Sequence, residues 1–299
     1  MTVEILPPPA IPIIDHERCT RCGLCAEVCP SETLVLREGK LQVEEGVFTG
    51  CIGCGQCMMV CPGGHVRVRG ARLSAEHLID LPPPQARATA EQLDALLLSR
   101  RSVRAFTERE VEPALVQRIL DMAATAPVGI PPSPVGVVVL ADRARVRRFV
   151  ADTVAEFRRM RRFLNPALLL LTRPFRPAAE HALIRDFVRP LLDLIVSRWD
   201  AGKDHLFYDA PAALLFHTAP RSDPADVHIA ATYAMLAAQS LGLGSCLIGT
   251  MVALNHAPRL KAKYGIPKAN QAGLGLILGH PRTAFHRGVR RPFASVHYA

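Results

Sequence analysis

The sequence predicts an α+β chain in two parts: a small cysteine-rich unit, then a larger domain in which helices cover a mixed α/β sheet. Three observations carry this. The pattern C-x-x-C-x-x-C-x-x-x-C-P occurs twice, as Cys19, Cys22, Cys25, Cys29 and Pro30, and again 32 residues on as Cys51, Cys54, Cys57, Cys61 and Pro62. A stretch bearing Pro82, Pro83 and Pro84 then interrupts the chain. Beyond it, helical periods alternate with short, almost wholly apolar runs, as strands buried on both faces require. At 299 residues and 49% apolar composition, there is material for two domains and a sizeable core.

Taken in order, residues 1–70 form the cysteine-rich unit. Between the cysteine copies, Leu34 to Glu44 alternates apolar and polar residues around Gly39, which predicts a hairpin. His65 to Arg69 alternates again and predicts a closing strand. Residues 71–88 read as a stiff linker, and residues 89–299 as the second domain. Its first helix starts at Thr89, where Thr89 and Gln92 make a capping-box pattern. Pro113 opens a second helix that runs to Ala126 and is stopped by Pro127. Val135–Leu140 predicts a doubly buried strand, and Asp142 caps a basic helix ending near Phe163. Ala179 to Trp199 has helical periodicity interrupted by Pro190, so a kink or two shorter helices are expected. Further strands are expected at Ala212–Phe216 and Ala272–Leu278, with a helix of small residues at Ala225–Leu241.

The cysteine spacing has a chemical reading. Three thiolates two residues apart can wrap one face of an iron–sulfur cube while the fourth, beyond the loop, reaches the other cluster. One 4Fe-4S cluster is therefore assigned to Cys19, Cys22, Cys25 and Cys61, and the second to Cys51, Cys54, Cys57 and Cys29. Zinc also binds paired CxxC motifs, but that reading leaves the third and fourth cysteines of each copy and both prolines unexplained. A disulfide framework belongs to much shorter secreted chains. The segment resembles bacterial two-cluster ferredoxins.

Four stretches of the second domain look placed to hold a phosphorylated flavin. They are Arg100–Phe106 (RRSVRAF), Ala126–Leu140, Leu241–Thr250 (LGLGSCLIGT) and Leu278–Pro292. Clustered guanidinium groups can cradle phosphate, and glycines let backbone approach a planar ring. In this order and spacing the stretches resemble the nitroreductase family of FMN enzymes. The resemblance implies that Arg100, Arg101, Ser102 and Arg104 meet the flavin phosphate and ribityl chain. It implies a basic completion of the phosphate site from Arg287 and Arg290, with Arg291 the further candidate. Pro127, Val128 and Gly129 would line the ring, and backbone amides of Leu247, Ile248 and Gly249 would face its N5 and O4. The family's N-S-Q-P-W type run is replaced here by Pro131, Pro132, Ser133, Pro134 and Val135, so its flavin-contacting asparagine is missing.

The formal charge of +9 raises a nucleic-acid or membrane-surface role. Two oxidised clusters and a flavin phosphate would reduce it to roughly +3, so the excess reads as cofactor neutralisation and neither partner is expected. The uncharged run Ile229–Asn255 contains Gln239, Ser240 and several glycines, which suits a buried helix and turn rather than a membrane span. Eight cluster cysteines imply a reducing interior and a cytoplasmic protein. Cys246 reads as a structural thiol, and no catalytic acid or base stands out. The expected activity passes electrons from the clusters to FMN and on to a small acceptor such as a nitroaromatic, quinone or activated alkene. External ferredoxin or NAD(P)H would be the donor, and the resemblance implies a homodimer. Two alternatives stand beside it: a non-catalytic electron-transfer or redox-sensing module, and an NAD(P)H-oxidising flavoprotein sending electrons out through its clusters.

Overall fold

A computed structural model describes residues 10–47, 50–70, 72–129, 134–172, 177–220 and 222–298. The chain divides into two compact units, Met1–Arg87 with Val128–Ser133, and Ala88–Pro127 with Pro134–Ala299. The first contains β1 (Ile11–Ile14), α1 (Leu24–Glu27), β2 (Leu34–Arg37), β3 (Lys40–Val43), α2 (Gln56–Val60) and β4 (Val66–Arg69). β2 and β3 make the expected hairpin, Leu34 opposite Val43. Its two-residue turn puts Glu38 and Gly39 at φ 49° and 71°, the left-handed pair that matches strand twist. β4 closes against β1, Ile14 opposite Val66, a partner the sequence reading left unassigned.

The duplication is visible in the backbone. α1 and α2 each begin after a left-handed glycine, Gly23 at φ 78° and Gly55 at φ 77°. Each places one buried cysteine, Cys25 or Cys57, into a small core with Leu34, Leu41, Met58, Val66 and Val68.

The second unit is a four-stranded sheet between two helical layers. Its elements are α3 (Ala90–Ser99), α4 (Pro113–Ala123), β5 (Val135–Leu140), α5 (Arg143–Phe163), α6 (Pro166–Thr172), α7 (Ala178–Leu183), α8 (Arg189–Asp200), β6 (Ala212–Thr218), α9 (Ala225–Ser240), β7 (Gly244–Ile248), α10 (Pro258–Lys263) and β8 (Gln271–Gly279). The strand order is β5-β6-β8-β7, antiparallel at every pairing. Among the described residues, the parallel component of the sheet is the isolated bridge between Ser102 and Ser245.

Alternation along β6 fills both cores. Ala212, Leu214 and Phe216 face a layer with α4 and the alanines of α9, while Ala213 and Leu215 face Phe149, Phe157, Ile195 and Phe207. β5 was expected to be buried on both faces, yet only Leu140 is fully buried, because β5 is an edge strand.

Local chemistry sets the helix ends. The Thr89 hydroxyl accepts from the Gln92 amide while the Gln92 side chain accepts from the Thr89 amide, closing the capping box. The Asp142 carboxylate caps α5 by accepting from Arg145 N at 2.7 Å. The segment with Pro190 forms two shorter helices, as expected, and Pro190 stands in the first turn of α8. The chain widens into a π-turn over Ile184–Val188 that joins α7 to α8, relieving the proline ring's clash with the preceding turn. No described helix is long and apolar enough to cross a membrane.

One buried carboxylate organises the approach to β6. Asp204 accepts from the amides of Leu206 (2.8 Å), Phe207 (2.9 Å) and Asp209 (3.1 Å). This holds Tyr208 and Asp209 at φ 56° and 51°, conformations that side-chain-bearing residues rarely adopt. Asp204→Ala is expected to cost about 3 kcal/mol or more, since it orphans several buried donors at once. Urea denaturation checks this, and Asp204→Asn should lose less.

Candidate functional site

The cysteines of the first unit gather into two groups. Cys19, Cys22, Cys25 and Cys61 line one small cavity, together with Leu41, His65 and Val66. Cys29, Cys51, Cys54 and Cys57 line a second, with Pro12, Ser31, Thr33 and Leu34. The fourth cysteine of each copy thus stands with the other copy's triplet. Among the described residues, no three Cys, His, Asp or Glu side chains converge on a single-ion site.

The electrostatics differ from thiol to thiol. Burial, then the neighbouring Cys51, Cys54 and Cys29, pushes the Cys57 thiol up to about 12. Burial raises Cys25 likewise. Cys29 is also pushed up by burial, but amides of Leu34, Thr33 and Ser31 with the Ser31 hydroxyl outweigh that and bring it below its ordinary value. Cys22 is exposed and is lowered by the Leu24 amide and the Thr20 side chain. Buried thiols of this kind need a metal's positive charge to remain thiolates at neutral pH, and eight thiols around two cavities suit iron–sulfur cubes.

The second unit brings three of the sequence stretches to one edge of its sheet. Val103 N donates to Ser245 O at 2.9 Å, running the arginine stretch alongside β7. A Cβ on Gly244 would sit 2.8 Å from Val103, so only glycine allows this approach. Thr107 N donates to His280 O and Arg282 N to Ala105 O, both at 2.9 Å, bringing in the segment after β8.

Within this junction the arginines differ. Arg100 is partly buried and feels the charges of Arg101 and Arg291. Burial, then the like charges of Arg101 and Arg291, pushes its guanidinium below the ordinary value, and no described carboxylate pairs with it. Arg101 instead spends its donors on backbone, reaching Leu98 O at 2.7 Å as well as the carbonyls of Arg100 and Arg287. Arg104 stands over the Tyr208 ring at 5.6 Å, and Arg290 lies 3.6 Å from Asp94. Ser102 is fixed by its bridge to Ser245, and Arg287 enters through its carbonyl.

The Gly-rich stretch is a strand running into a helical turn. Leu247 and Ile248 end β7, Gly249 is exposed, and a 3-10 segment Gly249–His256 follows. The Thr250 hydroxyl is buried without a hydrogen-bond partner among the described residues, a polar atom left over at the end of β7. Pro127 is exposed after α4, while Val128 and Gly129 fall with the first unit. Pro131, Pro132 and Ser133 lie outside the described residues. An arginine cluster in which Arg100 has no described carboxylate partner, an edge strand and an orphaned hydroxyl together fit a phosphorylated planar ligand.

Cys246 is 1% exposed and donates to the Leu247 carbonyl, as a structural thiol does. His217 is also buried, hydrogen-bonded to Asn270 at 2.9 Å.

Comparison with known proteins places both units. The model of a 4Fe-4S dicluster domain matches residues 11–62. The crystal structure of a nitroreductase with bound FMN from Bacteroides fragilis aligns with a TM-score of 0.52 and 18% identity, covering 70% of this chain and 98% of that one. An FMN-bound nitroreductase from Desulfitobacterium hafniense aligns with a TM-score of 0.50 and 20% identity, covering 71% and 100%. No curated protein matches the chain in sequence. The fold is thus nitroreductase-like, preceded by a small 4Fe-4S dicluster domain. The model of the nitroreductase family matches residues 97–280, and the chain belongs to that family of oxidoreductases.

Proposed function

We propose that the chain binds FMN and two 4Fe-4S clusters and reduces a small organic acceptor, such as a nitroaromatic, quinone or activated alkene, with electrons received through its clusters. The observation that carries this is the occurrence, in one chain, of two cavities each lined by four cysteines and a nitroreductase-family domain. When bound, the clusters supply single-electron transfer and FMN converts it to two-electron chemistry.

The chain's own residues bind and orient. Arg100 and Arg291 offer unneutralised positive charge to the flavin phosphate, and Ser102 is positioned beside them by β7. The amides of Leu247, Ile248 and Gly249 are the donors proposed for the ring, which tune it without adding a titrating group. Cys19, Cys22, Cys25 and Cys61 hold one cluster, and Cys51, Cys54, Cys57 and Cys29 the other. The eight cluster cysteines support a cytoplasmic location, where thiols stay reduced.

A second copy of the chain is the proposed partner. Residues 281–298 are exposed throughout, and they carry Phe293 and Tyr298 at 84% and 97% exposure. α3 likewise leaves Leu93 and Leu97 uncovered. Pairing of two copies would bury such surface. A chain ending at Pro292, which keeps Arg287, Arg290 and Arg291, is therefore expected to shift from dimer toward monomer in light scattering.

The direct test of electron entry is a stopped-flow comparison of donors under anaerobic conditions. Flavin reduction by low-potential ferredoxin but not by NAD(P)H supports the proposal. Rapid reduction by NAD(P)H alone contradicts it and favours outward electron flow through the clusters.

A further inference from the structure

We propose that the Ser31 hydroxyl donates a hydrogen bond to the Cys29 sulfur once that sulfur is bound to iron, and so raises the reduction potential of the cluster held by Cys51, Cys54, Cys57 and Cys29. The inference rests on reading the eight cysteines as ligands of two clusters. Ser31 Oγ lies 3.6 Å from Cys29 Sγ and 2.9 Å from Thr33 Oγ1. Ser31 and Thr33 are each 2% exposed, so they form a two-hydroxyl relay shielded from bulk water.

Ligation fixes the direction of the relay. In a free thiol either atom of the Cys29–Ser31 pair could donate. An iron-bound thiolate has no proton, so the Ser31 hydroxyl must turn to sulfur, and its oxygen then accepts from the Thr33 hydroxyl. The surrounding backbone holds both residues in place: Val47 N donates to Ser31 O and Glu44 N to Thr33 O, each at 2.8 Å. Gly46 packs so closely that a Cβ there would lie 2.8 Å from Thr33 Oγ1. One-electron reduction adds negative charge, shared with the thiolates, and brings no proton with it. A fixed donor at sulfur therefore stabilises the reduced state more than the oxidised one.

The internal repeat supplies a built-in comparison. At the offset of 32 residues, Ser31 corresponds to Gly63 and Thr33 to His65. Cys61 accepts from the backbone amide of His65 at 3.3 Å, but Gly63 has no side chain to add a second donor. The two cluster sites, alike in ligand spacing, therefore differ in hydrogen bonding at the crossing cysteine.

The test is potentiometry of the full-length, cluster-loaded protein followed by electron paramagnetic resonance. Wild type should show two one-electron waves. Ser31→Ala should lower one wave by about tenfold in the reduction equilibrium, about 59 mV for a one-electron couple, and leave the other in place. Ser31→Thr keeps the hydroxyl and should keep the wild-type values. Thr33→Val removes the second hydroxyl at nearly constant shape and should move the same wave the same way, by less. If Ser31→Ala does not hold iron, Thr33→Val decides. Equal movement of both waves, or movement of neither in an iron-replete variant, overturns the proposal. A wild-type iron content far below about eight per chain would instead sink the two-cluster reading on which it rests.

Discussion

Arg100→Ala is expected to weaken FMN binding about 10- to 100-fold, as judged by fluorescence titration of the flavin-stripped protein. The range follows from losing a charge-assisted contact worth about 1.5–3 kcal/mol. Arg100 is the candidate because its like-charged neighbours Arg101 and Arg291 repel it and no described carboxylate relieves it. A bound phosphate would relieve all three. Arg101→Ala should behave differently, because the Arg101 guanidinium already serves the carbonyls of Leu98, Arg100 and Arg287. Its loss should lower the unfolding midpoint and loosen the segment that carries Arg290 and Arg291, with FMN affinity falling as a secondary effect. Equal FMN losses without destabilisation in Arg101→Ala would contradict this division of labour.

Cys61→Ala is expected to halve the iron content, from about eight to about four per chain. The cluster it removes should be the one served by Cys19, Cys22 and Cys25, since Cys61 lines their cavity. The resonance signal lost in Cys61→Ala should thus match the signal lost in Cys19→Ala, and differ from the one lost in Cys54→Ala. The converse holds for Cys29, which lines the cavity of Cys51, Cys54 and Cys57. Flavin reduction by ferredoxin should fall sharply in both variants while FMN content is retained, because the arginine cluster lies in the other unit.

Much of this architecture is written locally, which explains why it was legible. The cysteine grouping follows from a duplicated spacing, and the hairpin from alternation around Gly39. The capping box at Thr89 and the Asp142 cap act through bonds three residues long, and Pro113 presets the first turn of α4. What sequence did not reveal depends on distant partners. β7 read as a Gly-rich turn because its glycine, Gly244, answers to Val103 from the start of the domain and not to a local bend. β1 is four residues long, contains Pro12, and is defined by its pairing with β4. β5 looked doubly buried by composition, but its place at the sheet edge leaves most of it half-buried. In the candidate flavin site the arginine stretches were visible, whereas the hydrogen-bond partners of individual arginines were not. Arg101 turning inward to the carbonyls of Leu98, Arg100 and Arg287 is a consequence of how the segment after β8 crosses the end of α3.

The measurement that tests the central claim most directly is the joint quantification of iron, sulfide and flavin in one anaerobically purified sample. The account predicts about eight iron, about eight sulfide and one FMN per chain, the content of two cubane clusters and one flavin site. The same iron with no flavin would contradict the proposed enzyme and leave an electron carrier on a scaffold that has lost its ligand.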